Sequence, residues 1–453
     1  MASPVSEPTV ADLLAECLRA AGVTRVFRAD GNTFPPLRGI DVVEVGDPVL
    51  ASLLADADGR LAISPATRPG VALLPGRRLR LSSSPGEEVL ALPVLDVEVL
   101  PSAIAGWSLE AVHSALELDL DVDLDLDAPV PAGVEPLVLD ASTVPLVRLS
   151  PTLADLSIML VIGPGVVRDG QVDGVAEAAR RTGARVVATA GALGVLPLDD
   201  PAWRGVVGLQ EHDRRLSGLD EAELVIVAGI DPAEAADVLP PDIQVLEVAP
   251  GHLAFLAHTW PDPAPDARPD GTRALVDGLA TLARTGVASD LVPLHPVRAL
   301  ADLFEVIDPD TLVLADAGPA GLWLARGLMG RAAGTVVVPG WDAPGFAAAG
   351  AIVAGLDGRA AVAIVTEPVD PVTEAMLDLA ADLGVTVACA VWGGDSSWES
   401  AAEHRGRLVG ARHDGGVQRI PVPVDLAVTE ELVELAGAVV AWRADPLDGT
   451  AGG

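Results

Sequence analysis

The chain contains no lysine and no tyrosine, a single asparagine (Asn32) and two cysteines among its 453 residues. All 29 basic residues are therefore arginine, set against 65 Asp and Glu, and the formal net charge is −36. A surface of that sign repels phosphate backbones, so no nucleic-acid partner is expected. Two origins of the composition stay open. One is a GC-rich coding sequence, poor in Lys, Tyr and Asn codons; the other is a salt-rich setting, where an acidic surface maintains solubility. Cys17 and Cys389 lie far apart, each in an apolar pattern. That excludes a disulfide framework and makes a reducing cytoplasm the expected location. Long uncharged apolar runs are missing too. The best candidate, Val336–Leu356, is interrupted by Asp342 and Pro344 and is mostly Gly and Ala, so no membrane partner is expected. Met1–Pro8 has no basic segment leading into an apolar one, and no secretory signal is expected.

What is present is apolar residue in quantity, 50% of the chain, enough for large cores. The length suits about three domains. The most informative stretch is Thr335–Gly394. Thr335–Val338 reads as a short buried strand, and Gly340-Trp341-Asp342-Ala343-Pro344-Gly345 as a turn. Phe346–Leu356 reads as a helix of small residues against a sheet. Ala361–Val365 is a second strand ending at Thr366-Glu367-Pro368, Val372–Leu383 a helix, and Val385–Trp392 a third strand ending at Gly393-Gly394. Strand, helix, strand, helix, strand predicts a parallel sheet with right-handed crossovers. Ligands of such sheets lie at the carboxyl ends of the strands.

Elsewhere, Thr9 and Asp12 form a capping pair for a helix with the apolar stripe Val10, Leu13, Leu14, Cys17, Leu18 and Ala21, closed by Gly22. Val23–Phe27 and Val42–Val45 follow as strands. In Leu116–Asp127, Leu or Val alternates with an acid, which predicts one carboxylate-lined strand face. That face is either solvated and protective against aggregation, or a strip for a cation or basic partner. Pro129, Pro131 and Gly133 mark a linker, as does Pro261–Asp270. Between them lie strand Ile158–Ile162, turn Gly163-Pro164-Gly165, helix Val172–Thr182, and strands ending at Gly229 and Val248. Arg168 stands where a dinucleotide fingerprint needs its third glycine. Asp395–Gly416 is expected to be a polar loop flanked by His404 and His413, then strand Gln418–Val422 and a helix from Thr429. Trp392 and Trp398 are expected to pack rather than to form a ligand cage.

These blocks resemble the thiamine-diphosphate enzymes of the acetolactate synthase and pyruvate decarboxylase superfamily. Asp316-Ala317-Gly318 with Trp323-Leu324-Ala325-Arg326 is similar to that family's Asp-x-Gly…Trp-x-Ala-Arg segment, and Gly340…Gly345 to its Gly-x-Gly-x-Met-Gly turn. Residues 158–248 resemble its central domain, and the N-terminal helix, Gly-Val and strand resemble its opening. The resemblance implies α/β architecture in three domains, each a parallel sheet covered by helices. These are a shortened pyrimidine-binding-like domain (1–150), a central domain (151–270) and a diphosphate-binding-like domain (271–453).

It also implies the site. The family's Gly-Asp-Gly…Asn cation motif falls on Thr366-Glu367-Pro368 and Gly393. Gly340, Gly345, Thr366, Glu367 and Gly393 are therefore the expected cofactor-binding residues, with Glu367 as the metal ligand. Glu367 is longer than the Asp it replaces, Gly393 carries no ligand atom, and Pro368 has no N–H. The carboxylate that activates the cofactor falls, counting back from Ala55-Asp56, on Pro48, with Asp47 beside it. The expectation is a catalytically degenerate homologue with no catalytic residue and no cofactor, acting as a structural or regulatory partner. It would form a homo-oligomer, or a hetero-oligomer with an intact relative, through helices such as Phe346–Leu356. The alternative is an active carbon–carbon lyase or carboligase on 2-oxo acids using thiamine diphosphate and Mg²⁺. A second alternative is a nucleotide- or metabolite-binding sensor using the central crevice.

Overall fold

Short apolar runs become the buried central strands of the computed structural model, which describes residues 7–62, 68–83, 89–110, 115–137, 149–231, 234, 238–240, 242–261, 271–394, 398 and 400–442. Stretch 262–270 of the expected linker and residues 395–397 of the expected loop lie outside the described residues. The chain divides into two compact units, Met1–Pro145 and Leu146–Gly453.

In the first unit, β1 (Arg25–Ala29), β2 (Asp41–Gly46), β3 (Gly70–Leu74), β4 (Arg78–Ser82), β5 (Val89–Val94) and β6 (Ala115–Leu120) form one sheet, ordered β2-β1-β3-β4-β6-β5. It is not wholly parallel. β3–β4 and β4–β6 pair antiparallel, and the other pairs are parallel. The reason is the connection: only Pro75-Gly76-Arg77 joins β3 to β4, long enough for a hairpin but not for a crossover. Helix Val10–Ala20 starts at Thr9 with the expected capping box to Asp12. Helix Pro48–Leu61 is buried from Leu53 to Leu61 and lies on β3 so closely that its glycine is obligatory. A Cβ on Gly59 would stand 2.0 Å from Ser82 O.

The acidic run departs from expectation. Its strand ends at Leu120; beyond it the Asp121 and Asp125 carboxylates accept the backbone N–H of Asp123 and Asp127. Each aspartate offers its own backbone a turn in place of a ladder, while Leu124 and Leu126 bury against the core. The carboxylates therefore do not share one strand face.

The second unit carries two wholly parallel sheets. β7 (Ile158–Ile162), β8 (Arg185–Ala188), β9 (Trp203–Val206), β10 (Leu224–Ala228) and β11 (Gln244–Glu247) are ordered β11-β10-β7-β8-β9. β12 (Leu312–Ala315), β13 (Val336–Val337), β14 (Ala361–Thr366), β15 (Val387–Trp392) and β16 (Val417–Val422) are ordered β13-β12-β14-β15-β16. One apolar core runs through both sheets and includes Trp323, Trp392 and Trp398 as packing residues.

The sheets are also tied by a buried ion pair. Arg326 donates to Asp213 at 2.9 Å and to the Gln210 side chain, and Asp213 accepts the N–H groups of Leu209 and Gln210. Two further expectations need correction. Helix Phe346–Leu356 spans the expected residues, but Phe346–Ala354 are buried by this chain itself, so it presents no bare Gly/Ala face for a partner. Ala402–Asp414 is a helix rather than a loop, anchored where buried His404 meets Asp302 at 3.4 Å and Arg405 meets it at 2.7 Å.

Candidate functional site

The order β13-β12-β14 places a topological switch point between β12 and β14, because the chain leaves β12 first to one side and then to the other. Asp316, directly after β12, occupies it. Its carboxylate accepts the Ala347 N–H at 2.7 Å, the Gly345 N–H at 3.2 Å and the Thr373 hydroxyl at 3.4 Å. It thereby caps helix Phe346–Leu356, whose Gly345 N-cap has φ of 84°. Burial pushes the Asp316 carboxyl up to about 6, against the lowering effect of those donors, and nearby Asp370 adds to the rise. Sequence reasoning saw Asp316 only as part of a motif. An acid at the carboxyl end of a buried strand was the available signal.

Thr366 ends β14 opposite Trp392, the last residue of β15. The Glu367 N–H donates to Trp392 O at 2.9 Å and the Gly393 N–H to Val422 O at 3.1 Å, so both amides extend the ladder. Glu367 is exposed and adjoins Gly394, where a Cβ would stand 3.4 Å from Glu367 Cγ. The structure thus gathers Thr366, Glu367 and Gly393 at one sheet end and sets Gly345 against Asp316. Gly340 opens the bend after β13, beside Pro339, whose carbonyl accepts the Trp442 indole N–H at 2.7 Å.

A hard divalent cation needs about six oxygens in near-octahedral array. Among the described residues no group of three or more His, Cys, Asp or Glu converges. At the expected position Glu367 is the sole carboxylate, and Gly393 offers no side-chain oxygen. The donor set does not fit a bridging Mg²⁺, and no chemistry is derived through one.

In the first unit, the position expected for the activating carboxylate carries none. Pro48 is the first residue of helix Pro48–Leu61, and Asp47 is the N-cap, accepting Val49 N–H at 2.7 Å and Leu50 N–H at 3.2 Å. Gly59, which this helix cannot replace, closes an Ala57-Asp58-Gly59 triplet; counted from Asp58 rather than from Asp56, the same position falls on Leu50. Leu50 has no proton acceptor either. Asp58 itself is committed to Arg25 and Arg68, at 2.8 and 2.9 Å.

The central crevice, between β7 and β10, is filled by protein. A Cβ on Gly163 would stand 2.3 Å from Gly229 O, so these glycines serve the contact of two loops rather than a phosphate. Arg168 and Asp231, both buried, form a double hydrogen bond across the same place.

Residues 155–252 match the family of the thiamine pyrophosphate enzyme central domain. Among solved structures, the chain is similar to a protein from Mycobacterium smegmatis provisionally designated a thiamin diphosphate-dependent enzyme. The TM-score is 0.65 at 16% identity, over 92% of this chain and all of that one, a likeness of fold. No curated protein matches the sequence. The family match thus covers the central part of the chain, and the structural likeness extends the same fold over most of the rest. Among the described residues no helix is long and apolar enough to cross a membrane.

Proposed function

We propose that this chain is a superfamily member that has set aside cofactor chemistry and acts as a structural or regulatory partner, in a homo-oligomer or beside an intact relative. One observation carries the reading. At the carboxyl ends of β14 and β15, where the resemblance puts the cation, the described residues offer Thr366, exposed Glu367, Pro368 and no side chain at Gly393. The absent carboxylate at Pro48 or Leu50 supports it independently, since the thiazolium carbon would have no acid-supported base. The filled central crevice speaks against a nucleotide sensor. Calorimetric titration of the purified chain with thiamine diphosphate and MgCl₂ tests the proposal. No Mg²⁺-dependent heat is expected. Micromolar binding that disappears in Glu367→Ala would overturn it and favour the active lyase or carboligase.

A further inference from the structure

The last sheet has a pocket at the end opposite the family's cofactor site. It encloses about 500 Å³ at the amino ends of β14, β15 and β16, within the range of small-molecule sites. Leu303, Val306 and Ile307, at the end of helix Pro296–Val306, line it together with Val385, Ile420 and Ala388, the last half-buried on β15.

Arg359 is the only ionisable residue among the described residues lining this pocket. Burial pulls its guanidinium below the ordinary arginine range, and Asp357 and Asp310 oppose that only through space. Its backbone N–H donates to Ala354 O at 2.8 Å, but among the described residues no hydrogen bond or ion pair reaches the guanidinium. Half-buried Arg359 differs in this from Arg25, Arg80, Arg168 and Arg326, each of which meets a carboxylate within 3.0 Å. It also sets the pocket apart from a second apolar cavity of about 550 Å³ near Leu193 and Met329. There the arginine, Arg331, donates to the carbonyls of Asp308 and Thr311 and lies over the Phe304 ring.

We propose that the pocket binds a small monocarboxylate with an apolar body, of medium-chain fatty-acid type, its carboxylate on Arg359 and its body against Leu303, Ile307, Val385 and Ile420. One guanidinium matches one carboxylate in a two-point fork. A phosphate or nucleotide would bring two or more negative charges to a single cation in a chain of net charge −36, and a polar body to apolar walls. The assignment does not depend on whether the cofactor site is live.

Octanoate is a suitable probe, with 1-octanol as its uncharged counterpart. Titration calorimetry on the full chain should show saturable one-to-one octanoate binding and at least tenfold weaker octanol binding. Arg359→Gln should weaken octanoate at least tenfold and leave octanol unchanged. Ala388→Phe, which fills the space, should abolish both. If that variant fails to fold, Arg359→Gln decides alone, because its side chain is not part of the core. Absent or unsaturable octanoate binding, or binding that survives Arg359→Gln undiminished, would overturn the proposal.

Discussion

Asp316→Asn separates burial from hydrogen bonding at the switch point. The wild-type carboxyl titrates near 6 in the fold, against an ordinary 3.8. An acid with a raised folded value contributes its full stability below the unfolded value and loses it as pH rises through the folded one. Stability tied to Asp316 is thus complete below about pH 3.8, falls between 3.8 and 6, and is gone by pH 7. That gap corresponds to roughly 3 kcal/mol. Asparagine keeps one oxygen for the Ala347 N–H and gives up the second acceptor, a loss of about 1 kcal/mol. The variant should therefore be about 1 kcal/mol less stable than wild type near pH 4 and about 2 kcal/mol more stable at pH 7. Urea unfolding of both proteins by tryptophan fluorescence, from pH 4 to 8, measures the difference. Taking it against the variant cancels the titration of every other acid in this acidic chain. A difference that stays flat with pH refutes the reasoning. So does one of opposite slope, which would mean that the N–H donors of Gly345 and Ala347 outweigh burial.

Gly59→Ala should destabilise the first unit by at least about 3 kcal/mol, because the new methyl meets the backbone carbonyl of Ser82 rather than a side chain that can move; chemical denaturation reads it, and a loss under 1 kcal/mol would be wrong for this packing. Arg326→Met leaves Asp213 buried and charged without its partner, which should cost about 3–5 kcal/mol in the second unit. A double variant with Asp213→Asn should recover part of that loss, and no recovery would show that shape rather than charge was lost. With helix Phe346–Leu356 covered within the chain, assembly is expected from the proposed partner role alone. Light scattering should give at least a dimer, and a monomer mass at micromolar concentration would count against it.

Where a strand or helix was set by its own residues, the sequence was enough to place it. Strand Ile158–Ile162 and helices Val172–Thr182 and Phe346–Leu356 begin and end at the expected residues, because a glycine follows each run within two residues: Gly163, Gly183 and Gly358. Helix Ala402–Asp414 was not legible. Buried His404 and Leu408 make a thin apolar stripe, and the Asp302 network that secures it comes from a hundred residues upstream. The acidic run misled because alternation fits a strand, yet aspartates that take their own backbone amides form turns. Asp316 was invisible as a capping acid because its donors, Gly345 and Ala347, lie 29 and 31 residues away. Of the expected cofactor-binding residues, Thr366, Glu367 and Gly393 do lie at the ends of neighbouring strands, which the strand-and-turn pattern alone made legible.

The glycines sort into two groups by what a Cβ would meet. At Gly59 and Gly163 it would stand within 2.3 Å of this chain's own backbone, so the fold itself requires the gap. A diphosphate makes a different demand, for bare backbone at a sheet end facing solvent. At that place this chain has Thr366 and Pro368, with the exposed Glu367 between them. Gly393 does remain, but its φ of 94° and the Leu426 methyl, 3.2 Å from where a Cβ would stand, account for it without any ligand. Replacing it with Asn, as a cation site would ask, meets both obstacles. The chain thus has glycine at 59 and 163, where its own packing needs one, and side chains at 366 and 368, where a bound phosphate would ask for none. The opposite pattern at 366 and 368 would suit the cofactor, and this is the physical ground on which the proposed scaffold role rests.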